Sequence, residues 1–222
     1  QTYTGDLPLL DINFINQANK KCPQISFLNI EIKGQISEYK DYLEDYFKDL
    51  GINKNNFFTD VSNYVAYETG QPTHSYDFSS LDGDITLKEN RNNSKFITLL
   101  GNTIEIETSD LVFTSKNNII NLSGIMGGID NACNEQTTNA LIECAYFKPD
   151  SIIGRGIKYN LHSDALHKFE RGTDPKYHET ALRRFIEIIS DHANIIKLEL
   201  YRDSNFDNHE KTVKHNRLSN PL

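Results

Sequence analysis

The chain has 222 residues, of which 37% are hydrophobic and 24% are charged, and its formal net charge is −8 at pH 7. Such a chain can bury a hydrophobic core as one large domain or two small ones. The negative charge argues against nucleic-acid binding through bulk electrostatics, because such binding depends on many Lys and Arg side chains that face phosphates. Any RNA contact must therefore be local, or shared with another domain.

The cysteine and hydropathy patterns narrow the class of protein further. Cys22, Cys133 and Cys144 form neither a close pair nor the spacing of a zinc site, so we expect no disulfide framework and no structural metal. No apolar run is long enough to span a membrane, and no signal-peptide pattern opens the chain. We therefore expect a cytoplasmic protein that has no membrane partner.

The first half of the chain contains one clear strand pattern and one clear helix pattern. Residues 1–24 are expected to be a connector or an edge strand, because they carry Gly and Pro around one short apolar run. Residues 25–32 predict a strand. Ser37 is a candidate N-cap for a helix whose apolar side chains recur every three or four residues and which ends at Gly51.

The second half begins with short strand-like runs at residues 85–88, 96–100, 103–106, 111–114 and 119–122. Gly101 and Asn102 predict a two-residue hairpin between the second and third runs. Strands this short and regularly spaced indicate a largely antiparallel sheet or sandwich. Asp174 and Pro175 predict the cap and first residue of a second helix, and residues 197–201 predict a final strand. The predicted fold class is α+β, with a strand-rich centre flanked by helices.

His74 is the first candidate for chemistry. It follows Gly70-Gln71-Pro72, in which the proline has a fixed φ, so the histidine ring is expected on a short structured loop. A histidine in a loop commonly does no more than hydrogen-bond nearby backbone. That structural role stays open beside a functional one.

Glu143 is a carboxylate inside the apolar run 140–145. Strand alternation places it on the same face as Leu141 and Ala145. A carboxylate on such a face either lines a cavity with a partner or points to solvent from an edge strand. The apolar neighbours favour the cavity, and a glutamate on an edge strand is the alternative.

A glycine pair, Gly127-Gly128, follows a strand-like run. Glycine lets the main chain approach a ligand closely, so the pair can present backbone N–H groups. The residues that follow match neither a P-loop nor a dinucleotide fingerprint.

Metal binding and serine hydrolysis find little support in the pattern. His162 and His167 lie five residues apart near Glu170, a spacing that fits neither a helical zinc site nor a tetrahedral structural site. We therefore expect no metal. The serines near the histidines lack a nucleophile-elbow context, so a serine hydrolase triad is not indicated.

Five segments of the chain form a joint pattern, and they are residues 60–65, 70–77, 124–128, 143–147 and 161–175. Together, in this order, they resemble the editing module of the β subunit of bacterial-type phenylalanyl-tRNA synthetase. The resemblance implies a layered α+β module whose central, mostly antiparallel β-sandwich has an unusual topology. It also implies an editing domain at 25–210, between a connector from a preceding module at 1–24 and a linker towards the next module at 211–222.

In that family the module hydrolyses tyrosine wrongly attached to the phenylalanine tRNA, and the resemblance implies the same activity here. An apolar pocket rejects an isostere that adds only a hydroxyl by roughly a hundredfold at best, whereas a site that hydrogen-bonds the hydroxyl rejects the analogue lacking it by about 10⁴ to 10⁵. A second site must therefore recognise the phenol. ATP and Mg²⁺ serve the synthetic reaction of the holoenzyme, and no cofactor is expected in this segment. The implied partners are tRNA(Phe), tyrosine as editing substrate, and the α subunit in a heterotetramer of two α and two β chains.

Carried over position by position, the resemblance assigns two groups of site residues. The candidate catalytic residues are His74, Glu143 and Ser163. The candidate substrate-binding residues are Ser62, Asn63, Gly127, Gly128 and Ala165. Glu143 and the backbone of Gly127 are expected at the phenol, while His74 is expected to position the ester.

The chain departs from the family pattern at three of these positions or near them. Ser163 and Ser62 stand where threonine is common, which keeps the hydroxyl, and Lys168 replaces a usual arginine, which loses a bidentate fork. No expected type of contact is removed. Two alternatives to hydrolysis within the synthetase stay open: a non-catalytic scaffold that holds the subunits and tRNA, and a free-standing editing factor.

Overall fold

A sheet of four strands lies between a layer of helices and a second sheet of five strands. The structure is a computed structural model, and it describes residues 2–204. The strands are β1 Phe14–Asn16, β2 Gln24–Ile32, β3 His74–Asp77, β4 Ile85–Glu89, β5 Ser94–Ile97, β6 Thr103–Ile106, β7 Leu111–Ser115, β8 Asn118–Leu122, β9 Met126–Gly127, β10 Asn139–Tyr146 and β11 Ile195–Ser204. The α-helices are α1 Asp41–Leu50, α2 Phe57–Thr69, α3 Arg155–Tyr159, α4 Asp164–Arg171 and α5 His178–His192.

The four-stranded sheet has the order β11-β2-β10-β3, and all its pairings are antiparallel. The five-stranded sheet has the order β1-β4-β7-β8-β9 and is antiparallel except where β1 pairs with β4. Strands β5 and β6 form a separate hairpin. The predicted α+β class, with mostly antiparallel sheets flanked by helices, is confirmed.

Strand β10 divides its side chains between two hydrophobic cores. Leu141 and Ala145 belong to the core between the two sheets, whereas Ile142 and Cys144 belong to the core beneath the helices. A strand buried on both faces reads as a nearly continuous apolar run, which is the pattern found at 140–145. The predicted alternation is confirmed, and it places Glu143 on the side of the facing sheet.

Helix α2 is not predicted by the sequence analysis, because its Phe, Thr, Val and Tyr residues are typical of strands. Its ends nevertheless carry clear signals. The side chain of Asn56 accepts a hydrogen bond from the N–H of Thr59 at 3.1 Å, and Gly70 ends the helix with a φ of 77°. Phe58, Val61 and other side chains of α2 then pack in the core that the helices share with the four-stranded sheet.

Helix α1 begins at Asp41, so the N-cap predicted at Ser37 is wrong. Tertiary contacts hold the preceding residues extended: the hydroxyl of Tyr39 donates to Asp60 at 2.8 Å, and the N–H of Lys40 donates to His192 at 3.0 Å. The predicted end at Gly51 is confirmed, with a φ of 63°.

The predicted hairpin joins β5 to β6, but its loop is longer than two residues. Ile97 pairs with Thr103, which leaves residues 98–102 in the loop. The longer loop lets Thr98 form an isolated bridge with Gly128 of the larger sheet's edge.

The other predicted boundaries fall close to the observed elements. Asp174 accepts a hydrogen bond from the N–H of Lys176 at 2.8 Å, and a 3-10 turn, Pro175–Tyr177, leads into α5. Residues 1–24, expected to be a connector or an edge strand, contain strand β1, which pairs with β4. The linker predicted at 211–222 lies outside the described residues.

Helix α3 is anchored to the start of β7 by a buried carboxylate. Asp110, whose side chain is 1% exposed, pairs with Arg155 and with Lys158, the latter at 2.9 Å, and also accepts a hydrogen bond from Tyr159. Without Asp110, Arg155 loses this ion pair and Lys158 keeps only its pairing with Glu107, at 2.9 Å.

We predict that Asp110→Ala lowers the free energy of unfolding by about 3 kcal/mol, measured by chemical denaturation. The matched control is Asp82→Ala, because Asp82 pairs with Lys116 on the surface, where both side chains are more than half exposed. That control should cost less than about 1 kcal/mol. Equal losses in the two variants would contradict the anchoring role.

Candidate functional site

A small cavity lies where the two sheets and helix α4 meet. It is lined by Pro72, Thr73, His74, Asn121, Gly124, Ile125, Met126, Gly127, Glu143, Ala165 and Phe169. Its volume is about 60 Å³, which is more than the space that one buried water molecule needs. His74 and Glu143 are the two titratable side chains in this lining.

Strands β3 and β10 bring His74 and Glu143 together. The two residues are direct partners in the antiparallel register, and Tyr76 is the partner of Leu141 two positions along. Directly opposed residues project to the same face of a sheet. His74, Tyr76 and Glu143 therefore all face the space between the sheets.

Glu143 is buried, with 4% of its surface exposed. One of its oxygens, Oε2, accepts a hydrogen bond from the hydroxyl of Tyr76 at 2.6 Å. Burial raises the pKa of Glu143 to about 7, and the Tyr76 hydrogen bond acts in the opposite direction. The carboxyl group thus titrates near neutral pH.

His74 is half-buried, and its ring packs edge-on against Tyr76 with centroids 4.5 Å apart. Burial lowers the pKa of His74 to about 4. The imidazole is therefore neutral at pH 7, with one nitrogen able to donate and the other able to accept.

Gly127 allows the histidine ring to lie directly against strand β9. A Cβ atom at this position would meet Cε1 of His74 at 2.4 Å and Nε2 at 2.7 Å, which are distances that real Cβ atoms do not show. Gly128 lies beside Phe96, and its N–H already donates to the carbonyl of Ile120 at 2.9 Å. The cavity therefore includes Gly127 and not Gly128.

The first turn of α4 supplies one wall of the cavity. Ala165 lines it, whereas Ser163 is the N-cap of the helix and accepts a hydrogen bond from the N–H of Leu166 at 3.1 Å. The hydroxyl of Ser163 donates to the carbonyl of Ile125 at 3.3 Å. Both of these hydrogen bonds are structural, and Ser163 does not line the cavity.

Two further predicted residues lie on α2, away from the cavity. The hydroxyl of Ser62 is buried and lies 2.7 Å from that of Ser75, which donates to the carbonyl of Phe58. Asn63 is exposed on the helix surface. The structure thus brings four of the eight predicted residues together, and these are His74, Glu143, Gly127 and Ala165.

Sequence reasoning missed two polar residues at the site, Tyr76 and Asn121. Alternation along β3 is a usable signal for Tyr76, because it lies two residues after His74. Asn121 lies on β8 of the facing sheet, and its contact with Tyr76 spans 45 residues, so no local pattern reveals it.

Residues 2–204 contain no candidate metal site and no candidate membrane-spanning helix. No group of three or more His, Cys, Asp or Glu side chains is arranged to hold a metal ion within this range. Within the same range, none of the helices combines the length and apolarity that crossing a membrane requires.

We predict that Glu143→Gln changes the pH dependence of stability. The pKa of Glu143 is about 7 in the folded protein and 4.5 ordinarily. Between pH 4.5 and pH 7 the folded parent protein therefore keeps a proton that the unfolded chain has lost. The free energy of unfolding of the parent consequently falls as the pH rises through this range. The free energy of unfolding of E143Q, minus that of the parent, should therefore rise by up to about 3 kcal/mol from about pH 4 to about pH 8.

Urea titrations across this pH range measure the difference. Glu105→Gln is the control, since Glu105 is exposed on β6, and its difference from the parent should stay nearly constant. If the E143Q difference is equally flat, Glu143 does not have the raised pKa.

Comparisons with known sequences identify the family of this chain. The B3/4 domain family matches residues 21–194. Similar curated proteins include the phenylalanine–tRNA ligase beta subunits of Francisella tularensis subsp. tularensis, 36% identical over 167 residues, and of Pectobacterium atrosepticum, 36% identical over 177 residues. These alignments cover 75% and 79% of this chain but 21% and 22% of the relatives. The chain thus spans about a fifth of their length.

A solved structure shares the fold. It is an N-terminal fragment of the phenylalanyl-tRNA synthetase beta-subunit from Pyrococcus horikoshii, with a TM-score of 0.56 over 93% of this chain and 58% of that chain. At 9% sequence identity, this likeness concerns the fold alone. The resemblance to phenylalanyl-tRNA synthetase β subunits is confirmed by the sequence relatives, and the chain belongs to the B3/4 domain family.

Proposed function

We propose that the cavity is a hydrolytic editing site, which removes tyrosine wrongly attached to tRNA(Phe) as part of a phenylalanyl-tRNA synthetase β subunit. The observation that carries the proposal is the buried carboxylate of Glu143 in a cavity whose other walls are largely apolar. A tyrosine hydroxyl finds an acceptor there. Phenylalanine leaves that acceptor unpaired, which costs binding free energy.

The free oxygen of Glu143 is the group that meets the phenol. Oε2 accepts the hydrogen bond from Tyr76, and no described residue donates to Oε1. A hydrogen bond to a charged acceptor contributes about 1.5 to 3 kcal/mol. Since each 1.4 kcal/mol is a factor of ten, this single contact supplies roughly tenfold to a hundredfold discrimination.

Hydrolysis itself requires water to add to the ester carbonyl and the ester C–O bond to break. The products are free tyrosine and tRNA(Phe) with its terminal hydroxyl restored. His74, neutral at pH 7 with a pKa of about 4, is a weak base but a good hydrogen-bonding group. It therefore positions the ester or the water, and the neighbouring free hydroxyl of the tRNA's terminal ribose assists.

The wider assembly is part of the same proposal. The β subunit pairs with an α subunit in a cytoplasmic heterotetramer, which binds tRNA(Phe) and uses ATP and Mg²⁺ at its synthetic site. No step at the present cavity uses those cofactors. The names of the relatives support this assignment, and the chain corresponds to about a fifth of each relative.

A non-catalytic scaffold is the second candidate. It is favoured by the small volume of the cavity and by the satisfied hydrogen bonds of Ser62 and Ser163, which leave these hydroxyls no evident role at an ester. The intact synthetase, incubated with tyrosyl-tRNA(Phe), distinguishes the two. Release of tyrosine no faster than in buffer would support the scaffold.

We predict that Glu143→Ala lowers the ratio of kcat/KM for tyrosyl-tRNA(Phe) to that for phenylalanyl-tRNA(Phe) by about tenfold to a hundredfold. The reason is that the phenol loses its charged acceptor, while contacts shared by both esters remain. Deacylation assays with the intact synthetase measure the ratio. Glu105→Ala, an exposed site on β6, is the control and should keep the parent ratio.

We also predict that Ala165→Trp lowers kcat/KM for tyrosyl-tRNA(Phe) by at least about tenfold, since an indole in the first turn of α4 fills the cavity. His167→Trp places the same side chain on an exposed position of the same helix and serves as the matched control. Unchanged turnover in the Ala165 variant would remove this residue from the wall of the site.

A further inference from the structure

Three buried side chains form a hydrogen-bonded chain across the two sheets. Nδ2 of Asn121, on β8, donates to the hydroxyl oxygen of Tyr76 at 2.8 Å, and that hydroxyl donates to Oε2 of Glu143 at 2.6 Å. The exposed fractions of Asn121, Tyr76 and Glu143 are 3%, 1% and 4%. These contacts are therefore shielded from competing water.

The chemistry of the three groups fixes the direction of each bond. When Glu143 is ionised, its carboxylate only accepts, so the single proton of the Tyr76 hydroxyl goes to Glu143. The phenol oxygen then needs a donor, which only the nitrogen of the Asn121 amide can supply. This orientation leaves Oδ1 of Asn121 buried without a partner among the described residues, at a residue that lines the cavity.

The donor that holds Glu143 is itself a phenol, the group by which tyrosine differs from phenylalanine. Oε2 is already occupied by this internal phenol. Oε1 accepts no hydrogen bond from residues 2–204. It is not fully buried, so it reaches the open space of the cavity. One oxygen of the carboxylate is thus held by Tyr76, and the other is available to a ligand.

We propose that Tyr76, held by Asn121, is a specificity-determining positioning residue, which fixes Glu143 so that only Oε1 receives the phenol of a tyrosyl ester. This inference rests on the proposed editing function and deepens it. Tyr76 acts through Glu143 and does not touch the ester. Pre-organisation of this kind strengthens a contact, because the cost of ordering the acceptor is met in folding and not on binding.

The Tyr76→Phe variant tests the proposal, because it removes one oxygen atom and keeps the buried ring. With the intact synthetase, we expect KM for tyrosyl-tRNA(Phe) to rise about tenfold while kcat stays near the parent value. Hydrolysis of phenylalanyl-tRNA(Phe) should stay unchanged, since that ester has no phenol. A merely structural role for Tyr76 would alter both esters alike.

Tyr39→Phe is the matched control. Tyr39 also donates its hydroxyl to a buried carboxylate, that of Asp60, at 2.8 Å, but it lies beneath the helices and away from the cavity. This variant loses an equivalent hydrogen bond and should keep the parent selectivity. Selectivity lost equally in both variants would overturn the proposal, because general loosening of the fold would then explain it.

Asn121 provides a second test through a double-mutant cycle. If Asn121 acts only by orienting Tyr76, Asn121→Ala lowers selectivity in the parent but has no further effect in the Tyr76→Phe background. Additive effects would overturn the proposal that Asn121, Tyr76 and Glu143 act as one hydrogen-bonded unit.

The outcomes separate the two proposals. Selective hydrolysis by the parent with unchanged selectivity in Tyr76→Phe overturns the positioning role and leaves the editing function intact. A gain of selectivity in Tyr76→Phe also overturns it, because Tyr76 would then compete with the ligand phenol. Failure of the parent to hydrolyse tyrosyl-tRNA(Phe) overturns the editing function, and this inference with it.

Discussion

The architecture of the site depends on one carboxylate that is held out of water between two sheets. Burying an ionised carboxylate costs several kcal/mol of hydration. Within the described residues, Glu143 recovers part of this through one hydrogen bond, from Tyr76. The imbalance raises the pKa of Glu143 to about 7. Side chains with strongly perturbed pKa values cluster at functional sites.

The layered fold gives that carboxylate a rigid setting. Strand β10 lies inside the four-stranded sheet, with β2 on one side and β3 on the other, so the backbone of Glu143 is fixed by both neighbours. The side chain then meets β8 of the facing sheet through Tyr76 and Asn121. Because the contacts cross from one sheet to the other, the packing of the two sheets sets the geometry of the cavity. Sites on packed strands hold their geometry better than sites on free loops.

The sequence predicted the part of this arrangement that local patterns encode. Alternation placed Glu143 on an apolar face, and the structure shows that face buried. Helix α2 escaped prediction, because its β-branched and aromatic residues outweighed the cap at Asn56 and the stop at Gly70. The link from Asn121 to Tyr76 joins residues far apart in sequence, and such a contact follows only from the way that the two sheets stack.

Ser163 affects the cavity through the helix that it caps. Its hydroxyl accepts the N-cap hydrogen bond from the N–H of Leu166, which fixes where α4 begins, and donates a second hydrogen bond to the carbonyl of Ile125. Ala165, two residues later, is thereby held against the cavity. The serine therefore contributes to the shape of the wall, and its assignment as a catalytic residue stays a prediction.

Under the proposed editing function, the walls of the cavity leave specificity to one group. Ala165, Phe169 and Ile125 offer no hydrogen-bond partner to a hydroxyl, so none of these side chains distinguishes a phenol ring from a phenyl ring. His74 is neutral, and it lies against Gly127, a position at which any larger side chain would displace it. The carboxylate is thus the one charged acceptor among the lining residues. Since an ionised group left unpaired costs more than a neutral one, the proposed editing function predicts that discrimination against phenylalanine is greatest when Glu143 is ionised.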